Sequence, residues 1–325
     1  MRKFIEQITQ SVLNGEEINY SDSLKLINID NNDSESIERL LKGADRIREK
    51  YNGDKVDLCS IMNGKSGKCS EDCTFCAQSS HYTTEAEEYP LISYDDVYKR
   101  AKEMDDKGVN RFSIVTSGKG VTEDDFDKLV DIYSKLEKNT NLSLCASHGV
   151  ISYEKAHKLK QTGINMYHHN IETSKNHYKK ICTTHSYDER VQTVRNVKKA
   201  GMEVCCGVIL GMGETIEDRL NMIFEIKELG VNSIPVNILH PVKGTPLEKL
   251  DILEPMEILK TIAIYRHIIP KAHIRYAGGR SALKDKQSLG LRGGVNALLV
   301  GDYLTTVGSN IDDDKQTVKN LGLDF

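Results

Sequence analysis

No run of about 18 apolar residues occurs in the 325-residue sequence, so no membrane-spanning helix is expected. Charge of one sign is also missing: 44 Lys and Arg stand interspersed among 48 Asp and Glu, for a net charge of -4. That balance leaves no electrostatic footprint for nucleic acid or an anionic membrane, and it directs attention to a small-molecule or protein partner. The opening MRKFIEQITQSVLNGEEINYSDS carries charges where a secretory signal would need an apolar centre, so a cytoplasmic protein is expected. Residues 50 to 310 hold no linker rich in proline, serine or glycine and no low-complexity tract, so no domain boundary is expected there.

What is present is a repeated local grammar. A hydroxyl residue and an acidic first turn open an amphipathic stretch, a glycine closes it, and an apolar run follows. Ser93 to Gly108, Ser152 to Gly163, Ser186 to Gly201 and Thr215 to Gly230 read as helices of this kind, and Thr122 opens another. SYDE at Ser186–Glu189 reads as a capping box. The apolar runs are VDLCSIM, RFSIVTSG, LSLCASHG, INMYHHNIE, EVCCGVILG, SIPVNILHP, HIRYAGG and NALLVG, eight candidate strands separated mostly by helices. The fold class expected is α/β, a (β/α)8 TIM-type barrel over residues 51–325, with an N-terminal helical extension over 1–50. An open doubly wound sheet would alternate in the same way and competes with it. The tail from DDDKQTVKNLGLDF reads as an acidic turn followed by a short packing helix.

Eight cysteines are an even number, but in a cytosolic enzyme clustered cysteines point to metal or redox chemistry more often than to disulfides. Cys69, Cys73 and Cys76 fall at i, i+4 and i+7 in the polar, turn-rich stretch SGKCSEDCTFCAQSS. Three thiolates there can converge on one soft-metal centre. A structural zinc site would need a fourth ligand, for which His81 is the nearest candidate, while buried core thiols would sit in an apolar, periodic segment instead. Three cysteines on a cubane cluster leave one iron open to a substrate or cofactor, which is an active-site arrangement.

CxxxCxxC with an aromatic before the last cysteine, directly after the first strand, resembles the cluster loop of the radical S-adenosylmethionine superfamily. Within it, SGKCSEDCTFCAQSSHY, YHHNIETS, YDERVQT, GVILGMGET, PVNILHPVKGTPL and IRYAGGR each resemble a segment of the biotin synthase family, in order along the chain. The resemblance implies a 4Fe-4S cluster on Cys69, Cys73 and Cys76, whose open iron chelates S-adenosylmethionine and cleaves it to a 5'-deoxyadenosyl radical. It implies that Asn170 and Glu172 contact the ribose, that Arg190 meets the methionyl carboxylate, and that Gly207 to Glu214, with Gly211, packs beside the adenine. Asn237 would hydrogen-bond the ureido ring of dethiobiotin, with Asn170 also near substrate. Each has a plainer reading: Asn170 and Asn237 could satisfy loop backbone, Glu172 could cap, and GMGET could be an ordinary strand-to-helix turn. Because neighbours on a strand face opposite ways, His168 is expected to line the pocket with Asn170 and Glu172, and His169 to point away.

The same resemblance implies a second, auxiliary iron-sulfur cluster deep in the barrel, 2Fe-2S or altered in type, usually held by three cysteines and one arginine. Cys145, Cys205 and Arg275 occupy matching positions, but Ser113 stands where the third cysteine is expected. A serine ligates iron only when deprotonated and suits it less well than thiolate. Cys59 on the first strand could supply the missing sulfur if it faces inward; Cys206 is expected on the opposite face from Cys205, and Cys182, near the open face in KKICTTHS, is expected to be a packing residue, with a cluster or sulfur-handling role as the alternative. Dethiobiotin as substrate, reduced flavodoxin or ferredoxin as electron donor and a homodimer follow from the resemblance alone. A paralogue acting on another substrate, and an electron carrier or redox sensor, are the competing functions.

Overall fold

The three N-terminal segments with helical periodicity form α1 (Arg2–Leu13), α2 (Tyr20–Ile27) and α3 (Ser34–Asn52), and β1 (Asp57–Lys65) follows. The structure, a computed structural model, describes residues 1–304 and 308–325. After β1 come α4 (Tyr94–Asp106), β2 (Arg111–Thr116), α5 (Glu123–Asn139), β3 (Ser143–Ser147), α6 (Tyr153–Gln161) and β4 (Met166–His168). The second half runs α7 (Lys175–Tyr178), α8 (Tyr187–Lys199), β5 (Glu203–Cys205), β6 (Val208–Leu210), α9 (Ile216–Glu228), β7 (Ser233–Ile238), α10 (Pro255–Ile268) and β8 (His273–Tyr276). A 3-10 turn at Arg280–Lys286, α11 (Gln287–Leu291), β9 (Ala297–Leu299) and α12 (Ile311–Asn320) complete it.

The expected hydroxyl caps form. Ser93, Thr122 and Ser152 accept from the backbone N–H three residues on, and Ser186 and Thr215 each make a full capping box, with Glu189 and Asp218 respectively. The C-terminal acidic run differs from expectation. Asp312, Asp313 and Asp314 are the first turn of α12 rather than a turn before it, because Asn310 caps the helix and carboxylates are favoured at its positive end.

All strand pairings are parallel, in the order β5-β4-β3-β2-β1-β9-β8-β7-β6, and β5 also pairs with β7. That last pairing closes the sheet and excludes the open doubly wound alternative. The fifth expected strand, EVCCGVILG, is broken into β5 and β6, so nine segments fill eight barrel positions. The break has a steric cause: a Cβ on Gly207 would lie 2.0 Å from Pro235 O on β7, an approach only glycine permits.

Register decides which side chains enter the barrel. Cys59 pairs with Arg111 and Leu299, Ser113 with Cys145, His168 with Cys205, Cys205 with Ser233, and Pro235 with Arg275. Paired residues share a face, so these form the interior layers. The alternate residues, among them Leu58, Phe112, Ile114, Tyr167 and Ile274, are fully buried against the helices. Cys206 joins that outer core, apart from Cys205, as expected. α10 is buried on nearly every side because the N-terminal extension covers it: Lys260 Nζ reaches Ile29 O, just past α2, at 2.6 Å, and Thr9 Oγ1 on α1 meets His267 Nε2 at 3.1 Å. Each fully buried isoleucine on it, such as Ile258 or Ile262, contributes about 1.5–3 kcal/mol.

Candidate active site

The loop after β1 curls on itself. Cys69 N–H donates to Gln78 O at 3.0 Å, Ser80 N–H donates back to Cys69 O at 2.8 Å, and Cys76 N–H donates to Cys73 O at 3.0 Å. The three thiols thereby converge on one wall of a cavity of about 310 Å³ at the carboxyl ends of the strands, the end of a parallel barrel where active sites lie. Burial pushes the Cys76 thiol up to about 11 and, after its contact with Cys182, helps push Cys73 up as well. Such thiols need a cation to become thiolates. Three convergent sulfurs fit a 4Fe-4S cluster with one open iron.

A second segment clasps this loop. Ile181 O accepts from Thr74 N–H at 2.9 Å, Asp72 accepts from the backbone N–H groups of Thr183 and Thr184 at 2.8 and 3.1 Å, and His185 Nδ1 lies 2.5 Å from Glu71 Oε2. Burial works against the Glu71 charge, but hydrogen bonds from Ser70, Thr184 and His185 hold its carboxyl below the usual range. Cys182 belongs to this polar network through Asp72 and His185, rather than serving only as packing. The acids Glu71 and Asp72 between the first two cysteines were not singled out in the sequence, and Cys182 in KKICTTHS was read there chiefly as packing.

Opposite the cysteines, Asn170, Glu172 and Arg190 come together. Arg190 donates to Asn170 O at 2.9 Å and to Tyr178 Oη at 2.6 Å, and its Nη1 lies 3.3 Å from Glu172 Oε1. Asn170 Oδ1 accepts from Gly207 N–H at 2.9 Å, while its amide donates to Glu172 Oε2 at 3.2 Å. Glu172 holds a left-handed φ of 65°, uncommon outside glycine and a form of strain that clusters at functional sites. Its buried carboxyl is raised above the usual range by desolvation, against the pull of Arg190.

Asn237 also lines the cavity, and its amide is partly engaged: Nδ2 donates to Val208 O at 3.2 Å, and Oδ1 accepts from Gly278 N–H at 3.0 Å. Glu214 stands elsewhere. It is buried, accepts from Gly211 N–H at 2.9 Å and pairs with Arg219 Nε at 2.8 Å, which fixes the turn after β6 and keeps it off the cavity wall. His169 corrects its expectation: β4 ends at His168, the strict alternation ends with it, and both histidines line the cavity. Burial holds His168 near 3, aided by Arg275 and Arg111, so its ring is neutral.

Deeper in the barrel lies a second sulfur-rich layer. Cys59 and Cys205 reach the same cavity together with Arg275, and Cys145 packs against Met166 and Cys205. Burial pushes Cys59 up to about 12 and raises Cys145 and Cys205. Ser113 Oγ and Arg275 Nε are buried with no hydrogen-bond partner among the described residues. Orphaned polar atoms beside inward thiols fit an additional anionic, thiolate-bound group. Asp57 and Arg111, which the sequence reading did not single out, join the layer: Asp57 holds Arg275 Nη2 at 2.5 Å and Arg111 Nε at 3.0 Å.

Comparison with known proteins agrees with this geometry. The family model described as the radical SAM superfamily matches residues 63–226, and the Biotin and Thiamin Synthesis associated domain matches residues 235–324. The barrel and its cysteine loop thus define a radical S-adenosylmethionine enzyme. The chain is 54% identical over 325 residues to the biotin synthase of Clostridioides difficile strain 630, covering all of both chains. It is 57% identical over 288 residues to that of Acetivibrio thermocellus, covering 89% of this chain and 90% of the relative. The chain belongs to the biotin synthase family. Among solved structures, methylornithine synthase superposes with a TM-score of 0.85 at 21% identity, over 98% of this chain and 96% of the other. That likeness concerns the fold alone.

Proposed function

We propose that this protein converts dethiobiotin to biotin by inserting sulfur between two saturated carbons. One observation carries the reading: a single cavity touches both the three-cysteine loop and the deeper layer of Cys59, Cys205 and Arg275. Bound at those two places, a 4Fe-4S cluster with S-adenosylmethionine supplies the 5'-deoxyadenosyl radical, and an auxiliary iron-sulfur cluster supplies the sulfur. Saturated carbon offers no acid, base or carbonyl handle, so the residues of this chain bind, orient and exclude water.

Cys69, Cys73 and Cys76 hold the first cluster. Asn170 and Glu172 accept from the ribose hydroxyls, Arg190 pairs with the methionyl carboxylate, and the segment from Gly207 through Gly211 to Glu214 backs the adenine, Glu214 acting through the turn it fixes. Asn237 keeps one amide hydrogen and one lone pair beyond its backbone partners, which suits one N–H and one C=O of a urea. Cys145, Cys205 and Arg275 hold the auxiliary cluster, with Cys59 in place of the thiolate that Ser113 cannot provide. A reduced flavodoxin or ferredoxin donor, a homodimer and a cytoplasmic setting complete the reading.

Ser113 itself favours a second reading, a paralogue with another saturated substrate. Anaerobic incubation of the reconstituted protein with S-adenosylmethionine, a reductant and dethiobiotin separates the two by mass spectrometry. Deoxyadenosine with biotin supports the first; deoxyadenosine without a sulfur-containing product transfers the case to the second.

A further inference from the structure

The clasp around the cysteine loop contains a ligand set distinct from the cluster's own. Cys73 Sγ, Cys182 Sγ and a ring nitrogen of His185 lie within 4.8 Å of one another, and all three residues are buried. His185 Nδ1 is 3.2 Å and Nε2 3.9 Å from Cys182 Sγ. A tetrahedral ion with metal–sulfur bonds of about 2.3 Å and metal–nitrogen bonds of about 2.0 Å separates its sulfur and nitrogen ligands by roughly 3.5 Å. The Nε2 separation of 3.9 Å lies close to that value.

The surroundings match a metal site as well. Glu71 Oε2 sits 2.5 Å from His185 Nδ1, the carboxylate–imidazole contact that orients a metal-bound histidine and leaves Nε2 to face the ion. Asp72 Oδ1 lies 3.2 Å from Cys182 Sγ but already accepts from the backbone N–H groups of Thr183 and Thr184 and from the Thr184 hydroxyl, so it positions the cysteine and leaves the fourth corner to solvent. Two thiolates and one imidazole make a donor set selective for zinc-like and ferrous ions over magnesium or calcium.

We infer that the protein without its clusters binds one thiophilic divalent ion through Cys73, Cys182 and His185, with a solvent molecule as the fourth ligand. Binding releases one proton from each cysteine thiol still protonated and changes no oxidation state. Because Cys73 is common to this site and to the 4Fe-4S site, the two occupants exclude each other. The single ion either precedes the cubane or, when it is zinc, blocks it.

Co²⁺ is the probe. Full-length protein is stripped of iron anaerobically and titrated with Co²⁺, reading the visible bands of tetrahedral cobalt and the thiolate-to-cobalt charge-transfer band. One equivalent with both signatures is expected. Cys182→Ala and His185→Ala should weaken binding at least 100-fold, whereas the double variant Cys69→Ala/Cys76→Ala should keep the wild-type spectrum. Circular dichroism checks folding; where Cys182→Ala fails to fold, Cys182→Ser replaces it and should lose half of the charge-transfer intensity. Wild-type protein that binds no cobalt, a wild-type spectrum in a folded Cys182 variant, or a spectrum abolished in the Cys69/Cys76 variant would each overturn the inference. The titration reads no turnover, so its failure leaves the biotin-forming reading untouched.

Discussion

Arg275 on β8 reaches Asp57 on β1 past the intervening β9, Nη2 to Oδ1 at 2.5 Å, while its buried Nε finds no partner among the described residues. Asp57 is thus the anchor that holds one face of the guanidinium and leaves the other edge for the auxiliary layer. It also neutralises Arg111, 3.0 Å away.

Asp57→Asn should therefore leave two poorly solvated cations short of a counter-charge. Removing one member of a buried pair costs about 3–5 kcal/mol, and the slight exposure of Asp57 places the expectation near the lower end, about 3 kcal/mol. Urea denaturation of the cluster-free protein measures it. A change under about 0.5 kcal/mol would show that the pair is surface-like.

The third thiolate of the auxiliary layer gives a sharper contrast. Cys59→Ala should reduce the iron and sulfide of the reconstituted protein to the content of a single cubane, whereas Ser113→Ala should leave both clusters in place. Iron and sulfide analysis, with the visible spectrum, reads both variants. Loss of the auxiliary cluster in Ser113→Ala and its retention in Cys59→Ala would assign the ligand to Ser113 instead.

The barrel was legible because its caps and strand cores are local features: Ser186 with Glu189, and the apolar runs, announce themselves within a few residues. Cys59 could be placed on β1 but not aimed, since facing is set by register against Arg111 and Leu299. The break after Cys205 was hidden for a related reason. Gly207 reads as an ordinary strand glycine until Pro235, 28 positions later, is found against it. The clasp of Asp72 by Thr183 and Thr184 joins segments more than a hundred residues apart, and no short-range pattern encodes it.

Acid should destabilise the fold through its buried histidines. Burial lowers His148 from 6.5 to about 3 and His267 from 6.5 to about 4. Between those values and 6.5 the unfolded chain binds more protons than the folded one, so stability is complete above about pH 6.5 and declines as pH falls. At pH 4.5 the two together should cost a few kcal/mol, each up to about 2.7 at 1.36 per pKa unit. Urea midpoints of the cluster-free protein at pH 7.5 and 4.5 provide the check; an unchanged or higher midpoint at pH 4.5 contradicts the assignment of neutral, buried rings.

The central claim is that sulfur passes to substrate from the deeper layer of this barrel. Protein reconstituted anaerobically with ³⁴S-labelled sulfide, then given S-adenosylmethionine, a reductant and dethiobiotin for one turnover, tests it directly by mass spectrometry of the product. The account predicts biotin carrying ³⁴S in wild-type protein and none from Cys205→Ala, which still forms deoxyadenosine. Unlabelled biotin, or labelled biotin from Cys205→Ala at the wild-type yield, would contradict it.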